Sequence, residues 1–170
     1  MRRAAQLLLL TTLISAAPGC GSGDHVVVEL SASGLNPVLE LDTVWLTITA
    51  SRLGDGMCEP FTEVISLGPG FPGSVTVPAT VEIKAGSVYD QFLFVRIEGK
   101  KGGVLRLRDE RMASLGGGDV HLEVVLSGSC LDLGLESGEL CQDGLVSESP
   151  YWRTFDEGEG VETGTSCRPE

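Results

Sequence analysis

The sequence predicts an all-β protein: an immunoglobulin-like β-sandwich of about seven strands, followed by an irregular C-terminal tail tied down by disulfides. Three observations lead to this prediction. Apolar and polar residues alternate in many short segments, which is the period of half-buried strands. Clusters of turn-forming residues separate these segments, and the chain contains 23 Gly. No segment shows the longer apolar period of a capped helix.

The alternation also predicts which side chains face the core. Val44, Leu46 and Ile48 share one face of the segment 41–50, and Trp45 lies on the opposite face. Because successive side chains of a strand point to opposite sides of a sheet, the first face is expected to be buried. The other segments with apolar residues at this spacing are 26–30, 64–67, 74–77, 80–84, 93–97, 105–107 and 120–126.

The first 19 residues have the layout of a secretory signal peptide. Arg2 and Arg3 precede an apolar run at 4–14, and small residues follow it. The run is shorter than the roughly 18 residues that a spanning helix needs, and no later stretch is apolar enough to span a bilayer. Any attachment to a membrane is therefore expected at the processed N-terminus.

The sequence Ala17-Pro18-Gly19-Cys20 resembles a lipobox, where bacteria cut a signal peptide and acylate the new N-terminal cysteine. The alternative is ordinary cleavage after Ala17. The number of cysteines favours the first interpretation, because removing Cys20 from the 5 Cys leaves an even set that can pair in an oxidising compartment. That set is Cys58, Cys130, Cys141 and Cys167.

These features predict a cell-envelope protein in four parts. Residues 1–19 are the signal peptide, 20–24 a lipidated tether, 25–128 the β-sandwich and 129–170 an acidic, Cys-containing tail. The lipid makes the membrane the first expected partner. A bacterial lipoprotein cysteine, by resemblance, carries several acyl chains, and Gly rather than Asp after that cysteine favours the outer membrane over the inner one.

The four remaining cysteines allow three pairings. Cys130 and Cys141 flank a short loop, which favours a local bridge and leaves Cys58 to pair with Cys167. The competing arrangement joins Cys58 to Cys130 and Cys141 to Cys167, which would hold the tail less tightly. The sequence favours the first arrangement and leaves the second open.

The end of the sandwich and the start of the tail resemble a group of small lipoproteins that myxobacteria encode in large numbers. An apolar strand at 120–126 leads into Ser129-Cys130-Leu131 and then into Gly-Glu-Leu-Cys-Gln-Asp-Gly at 138–144. Members of that group often have a Cys directly after the Asp-Gly, where this chain has Leu145. The resemblance implies the cellular address and the architecture, but no activity.

Charge excludes one class of partner. The formal net charge is −12, and loss of Arg2 and Arg3 with the signal peptide makes the chain more acidic. A protein of this charge repels the phosphate backbone of nucleic acids, so no nucleic-acid partner is expected.

The sequence argues against catalysis and against a cofactor. It has only two His, with His25 next to the tether and His121 on the polar face of the last strand. No nucleophile motif lies between a strand and a helix, and paired cysteines offer no thiolate. We therefore expect a non-catalytic lipoprotein with a binding or structural role. The alternative is a secreted enzyme or inhibitor whose site no motif reveals.

No metal site is predicted. Two isolated His and the absence of closely spaced Cys argue against zinc. Carboxylates that alternate with Gly near the C-terminus could surround a weak calcium ion, but their spacing does not match an EF-hand loop. A solvated acidic tail is the favoured interpretation. These carboxylates belong to Asp156, Glu157, Glu159 and Glu162.

Three aromatic residues are expected on the outside of the sandwich: Trp45, Phe92 and Phe94. Exposed together, they would exceed the largest apolar patch of a typical monomer, about 300–600 Å². The favoured interpretation is that the tail folds back over them. The alternative is a protein or glycan partner that docks there. The aromatic residues available in the tail are Tyr151, Trp152 and Phe155.

Overall fold

A computed structural model describes residues 25–51, 56–69, 73–84, 92–114 and 120–166. The predicted signal peptide and tether, including Cys20, lie outside these ranges. None of the described helices is long and apolar enough to cross a membrane. The first eight strands are β1 His25–Ser33, β2 Thr43–Ala50, β3 Met57–Glu59, β4 Phe61–Ser66, β5 Ala79–Lys84, β6 Phe92–Lys101, β7 Val104–Ser114 and β8 Val120–Ser127, with a short helix α1 Pro37–Glu40 after β1.

Two larger sheets form a sandwich-like core, which confirms the all-β prediction. One sheet has the order β4-β2-β6-β7 and is antiparallel throughout. The other has the order β5-β1-β8, in which β1 pairs parallel with β8. The first two strands of an immunoglobulin constant-type domain share a sheet, whereas β1 and β2 lie in different sheets here. The immunoglobulin strand order is therefore not confirmed.

The predicted core faces of β1, β2, β6 and β8 are confirmed. The inward side chains of β2 and β6 are fully buried and pack against those of β1 and β8 across the two sheets. Burial of a Val, Leu or Ile side chain contributes about 1.5–3 kcal/mol, so this apolar layer is the main source of stability. The buried residues of these four strands include Val26, Val28, Leu30, Val44, Leu46, Ile48, Leu93, Val95, Ile97, Leu122, Val124 and Leu126.

A β-bulge sets the register of the β6–β7 hairpin. The turn at Gly102 and Gly103 pairs Lys101 with Val104, and the register shifts by one residue between Gly99 and Lys100. The bulge adds one residue to β7. From Gly99 towards the start of β6, each residue is therefore paired one position later in β7 than it would be in a regular hairpin. This shift places Arg96 opposite Glu110.

The tail contains more regular structure than the sequence predicts. It begins with a 3₁₀ turn at Gly128–Cys130, and the strands β9 Glu139–Gln142 and β10 Leu145–Glu148 form a hairpin. A π-helical turn follows at Arg153–Glu157, and β11 Val161–Ser166 pairs parallel with β3. These strands are short and carry few apolar residues, so alternation gave no signal for them.

One of the favoured disulfides is confirmed. Cys130 and Cys141 are joined, which excludes the bridge between Cys58 and Cys130. Cys58 is buried and is also disulfide-bonded. Its predicted partner, Cys167, lies outside the described residues. The local bridge fixes the β9–β10 hairpin to the end of β8.

Candidate functional site

The candidate site is the outer face of the four-stranded sheet, formed by the outward side chains of β2, β4, β6 and β7. Strand pairing arranges these side chains in rows across the sheet. The first row holds Val64, Trp45, Glu98 and Arg108, in the order β4-β2-β6-β7. The next rows hold Thr62, Thr47, Arg96 and Glu110, and then Thr49, Phe94 and Met112.

Trp45 lies on the open part of this face. Its side chain is 36% exposed, and the facing Val64 on β4 is 50% exposed. The indole Nε1 donates a hydrogen bond to Thr43 Oγ1 at 3.2 Å. The Lys100 ammonium lies 3.6 Å from the centroid of the Trp45 ring, a cation–π contact. Trp45 is therefore held in one orientation while part of its ring faces solvent.

Phe94 points to the same side of the sheet but is covered. Its exposure is 8%, because Tyr151 of the tail lies on it with 4.4 Å between ring centroids. Tilted aromatic pairs of this kind contribute about 0.5–1.5 kcal/mol beyond the area they bury. The tail thus folds over the outer face, and Tyr151 and Phe155 are the aromatic residues that contact it. Trp152 instead lies against Gly138.

The three outward aromatics do not form one patch. Phe92 is 38% exposed but lies six residues along β6 from Glu98, the residue that faces Trp45. At about 3.3 Å per residue this places Phe92 roughly 20 Å from the Trp45 row. With Phe94 covered by the tail, the exposed aromatic surface divides into two separate places.

A buried arginine joins the sheet to the tail next to Phe94. Arg96 Nε donates to Glu110 Oε1 at 2.9 Å, and Arg96 Nη1 donates to Asp156 of the tail. The guanidinium also lies 4.6 Å from the centroid of the Phe155 ring. Ser149 donates its hydroxyl to the second oxygen of Glu110. A charged strand residue is thus enclosed by groups of the tail and by its cross-strand partner.

The sequence pattern does not predict Arg96 and Glu110 as residues of the site. One sequence feature pointed to Arg96: it shares a strand face with Phe92 and Phe94. A segment that covers these aromatic residues would also bury Arg96. A regular hairpin around Gly102 and Gly103 would have paired Arg96 with Asp109 rather than Glu110. Only the bulge reveals the actual partner.

Two carboxyl groups of β6 and β7 have shifted pKa values: Glu98 lies on this face, and Asp109 pairs with the inward Ile97. Burial acts to raise the pKa of Glu98, but hydrogen bonds and charges from Lys100 and Arg108 outweigh it, so the pKa lies below 4.5. Burial raises the pKa of Asp109 above 3.8, although Arg111 and other hydrogen-bond donors oppose the shift. Gln142 of β9 is one of those donors, at 3.2 Å from Asp109 Oδ1. Both carboxyl groups serve contacts within the protein.

The remaining candidate groups do not converge on a reactive site. His25 is the first residue of β1, and His121 lies exposed on the outer face of the other sheet, 3.8 Å from Glu29. Within the described ranges, no group of three or more His, Cys, Asp or Glu is arranged to hold a metal ion. Asp156, one of the four tail carboxylates, is bonded to Arg96.

Comparison with known proteins adds no relative. No protein-family profile, curated protein or solved structure matches this chain.

Proposed function

We propose that this protein is a non-catalytic lipoprotein of the cell envelope, related to the small myxobacterial lipoproteins it resembles. In this proposal Cys20 carries the lipid, and the β-sandwich is held at the membrane surface, most simply the outer membrane. The lipobox-like sequence before Cys20 and the even set of remaining cysteines support it. The role of the domain is to bind a partner protein through the open part of its outer face.

The observation that carries the binding role is the pair formed by Trp45 and Val64. The tail covers the neighbouring Phe94 and Arg96 but leaves this pair exposed. Trp is the residue most enriched among the few that dominate binding energy at protein interfaces. The pair is bordered by hydroxyl groups, such as the Thr47–Thr62 hydrogen bond of 3.0 Å. An apolar centre with a polar rim is the usual composition of a protein-binding surface.

Substitution of Cys20 tests the anchor. The wild-type protein should partition into the detergent phase, since acyl chains contribute about 0.8 kcal/mol per buried methylene. Cys20→Ser should move to the aqueous phase and lose the labelled fatty acid after metabolic labelling. Equal partition of the two proteins would contradict lipidation at this residue.

A photo-reactive amino acid at Thr62, exposed beside Val64, tests the docking surface on intact cells. Irradiation should give a discrete adduct with an envelope protein. Trp45→Ala should abolish that adduct, because truncation of a central interface Trp costs about 2 kcal/mol or more. Leu145→Ala is the matched control, since Leu145 is a large exposed apolar residue on β10, away from this face. No adduct, or one that persists in Trp45→Ala, would contradict the proposal.

A further inference from the structure

We propose that an open groove beside Trp152 binds a neutral saccharide. The groove lies between the tail and β3 and includes neither Trp45 nor Val64 in its lining, so the inference does not depend on the function proposed above. Its volume is about 660 Å³, which lies within the range of small-molecule sites. The side chains that line it include Met57, Glu148, Pro150, Trp152, Arg153 and Glu159.

The Trp152 ring is a fixed platform. A Cβ added at Gly138 would lie 3.3 Å from Trp152 Cγ, so the ring packs directly on the glycine backbone. Gly138 has φ +82°, a backbone conformation that residues other than glycine rarely adopt. Trp152 is partly exposed and lines the groove together with Met57 and Pro150. The Arg153 guanidinium lies 5.4 Å from the centroid of the Trp152 ring, so a ligand that packs on the indole also meets this guanidinium. An indole ring offers a large apolar surface against which the C–H face of a sugar ring can pack.

Backbone hydrogen bonds fix the walls of the groove. Met57 N donates to Gly160 O at 2.8 Å, which joins β3 to the start of β11. Glu159 N donates to Arg153 O at 3.1 Å and closes the π-helical turn. The groove is therefore formed before a ligand arrives, which lowers the entropy that binding costs.

The charges in the groove favour a neutral ligand with many hydroxyl groups. Arg153 Nη1 lies 3.5 Å from Glu159 Oε2, so the one guanidinium already faces a carboxylate. Glu148 adds a second carboxylate on the same lining, which disfavours an anion. Carboxylates only accept hydrogen bonds and a guanidinium only donates them, whereas a sugar hydroxyl does both. A saccharide can donate hydrogen bonds to the carboxylates and accept one from the guanidinium.

Tryptophan fluorescence provides a direct assay, because the chain has 2 Trp. With Trp45→Phe as the background, emission reports Trp152 alone. The oxidised protein is titrated with cellobiose, maltose and N,N′-diacetylchitobiose, and with tetramethylammonium and inorganic phosphate for the two charged classes. We expect a saturable shift in emission with at least one disaccharide and none with either ion.

Variants locate the site by calorimetry with that disaccharide. Trp152→Ala should weaken binding about tenfold or more. Glu159→Gln, a substitution on an exposed side chain that keeps its shape, should weaken it about threefold or more through loss of a charged acceptor. Leu39→Ala, also exposed but on α1, is the control that should bind as the wild type does.

Glu159→Gln keeps the inference testable if Trp152→Ala fails to fold. Three results would overturn it: no shift with any of the disaccharides, a larger shift with tetramethylammonium or phosphate, or wild-type affinity in Glu159→Gln. The second result would assign the groove to a charged ligand instead.

Discussion

Replacement of Arg96 by Met tests whether the buried ion pair fastens the tail to the sheet. The side chains of Arg96 and Glu110 are 5% and 3% exposed. Removing the guanidinium leaves Glu110 buried, with the hydroxyl of Ser149 as a remaining donor but without its counter-charge. Removing one partner of a buried pair costs about 3–5 kcal/mol. In a chain of this size that corresponds to a fall in melting temperature of about 6–20 °C.

The assay is thermal and urea unfolding of the oxidised protein at neutral pH. Arg96→Met combined with Glu110→Gln should recover most of the loss, because the carboxylate that still lacks Arg96 is then Asp156, whose side chain is 30% exposed. Arg153→Met removes an exposed ion pair with Glu159 and should cost no more than about 1 kcal/mol. A loss of less than about 1 kcal/mol in Arg96→Met, or a double variant as unstable as the single one, would show that the ion pair does not fasten the tail.

Two further predictions concern stability. Because the pKa of Glu98 is lowered in the folded protein, its contribution to the free energy of unfolding is present above pH 4.5 and is lost as the pH falls through the folded pKa. Glu98→Gln should therefore make stability depend less on pH in this range of the acid unfolding curve. An unchanged curve would contradict this role of Glu98. A Cβ at Gly128 would lie 2.1 Å from the carbonyl oxygen of Gly34, so Gly128→Ala should cost about 3 kcal/mol or more. Gly73→Ala, where nothing lies within 4 Å, should cost only about 1 kcal/mol from its positive φ, and a similar melting temperature for both variants would show that the contact relaxes freely.

The strands of the core could be predicted from the sequence because burial imposes a pattern on it. In β2, Val44, Leu46 and Ile48 alternate with Thr side chains and with Trp45, since one face of the strand meets the opposite sheet and the other does not. The pairing of β1 with β8 could not be predicted in this way. Alternation identifies which face is buried, but carries no information about which strands are neighbours.

The tail shows why the rest of the site escaped prediction. β3 and β11 pair although about a hundred residues separate them in the sequence, and β3 contains the disulfide-bonded Cys58. A disulfide restricts the unfolded chain, so neither strand needs an apolar face of its own. The burial of Arg96 likewise depends on a segment that lies 60 residues further along the chain. Contacts of such long range leave no local period in the sequence.

The position of β1 within its sheet has a mechanical consequence. β1 begins at His25 and is paired on both sides, with six residue pairs to β5 and eight to β8. A force applied at His25 along the axis of β1 loads both ladders at once. The hydrogen bonds to β5 and β8 run across the direction of this force, so they are loaded in shear. Separation of β1 then requires that many of them break together. The domain should therefore withstand tension from its N-terminal side better than a sheet pulled open from an edge strand.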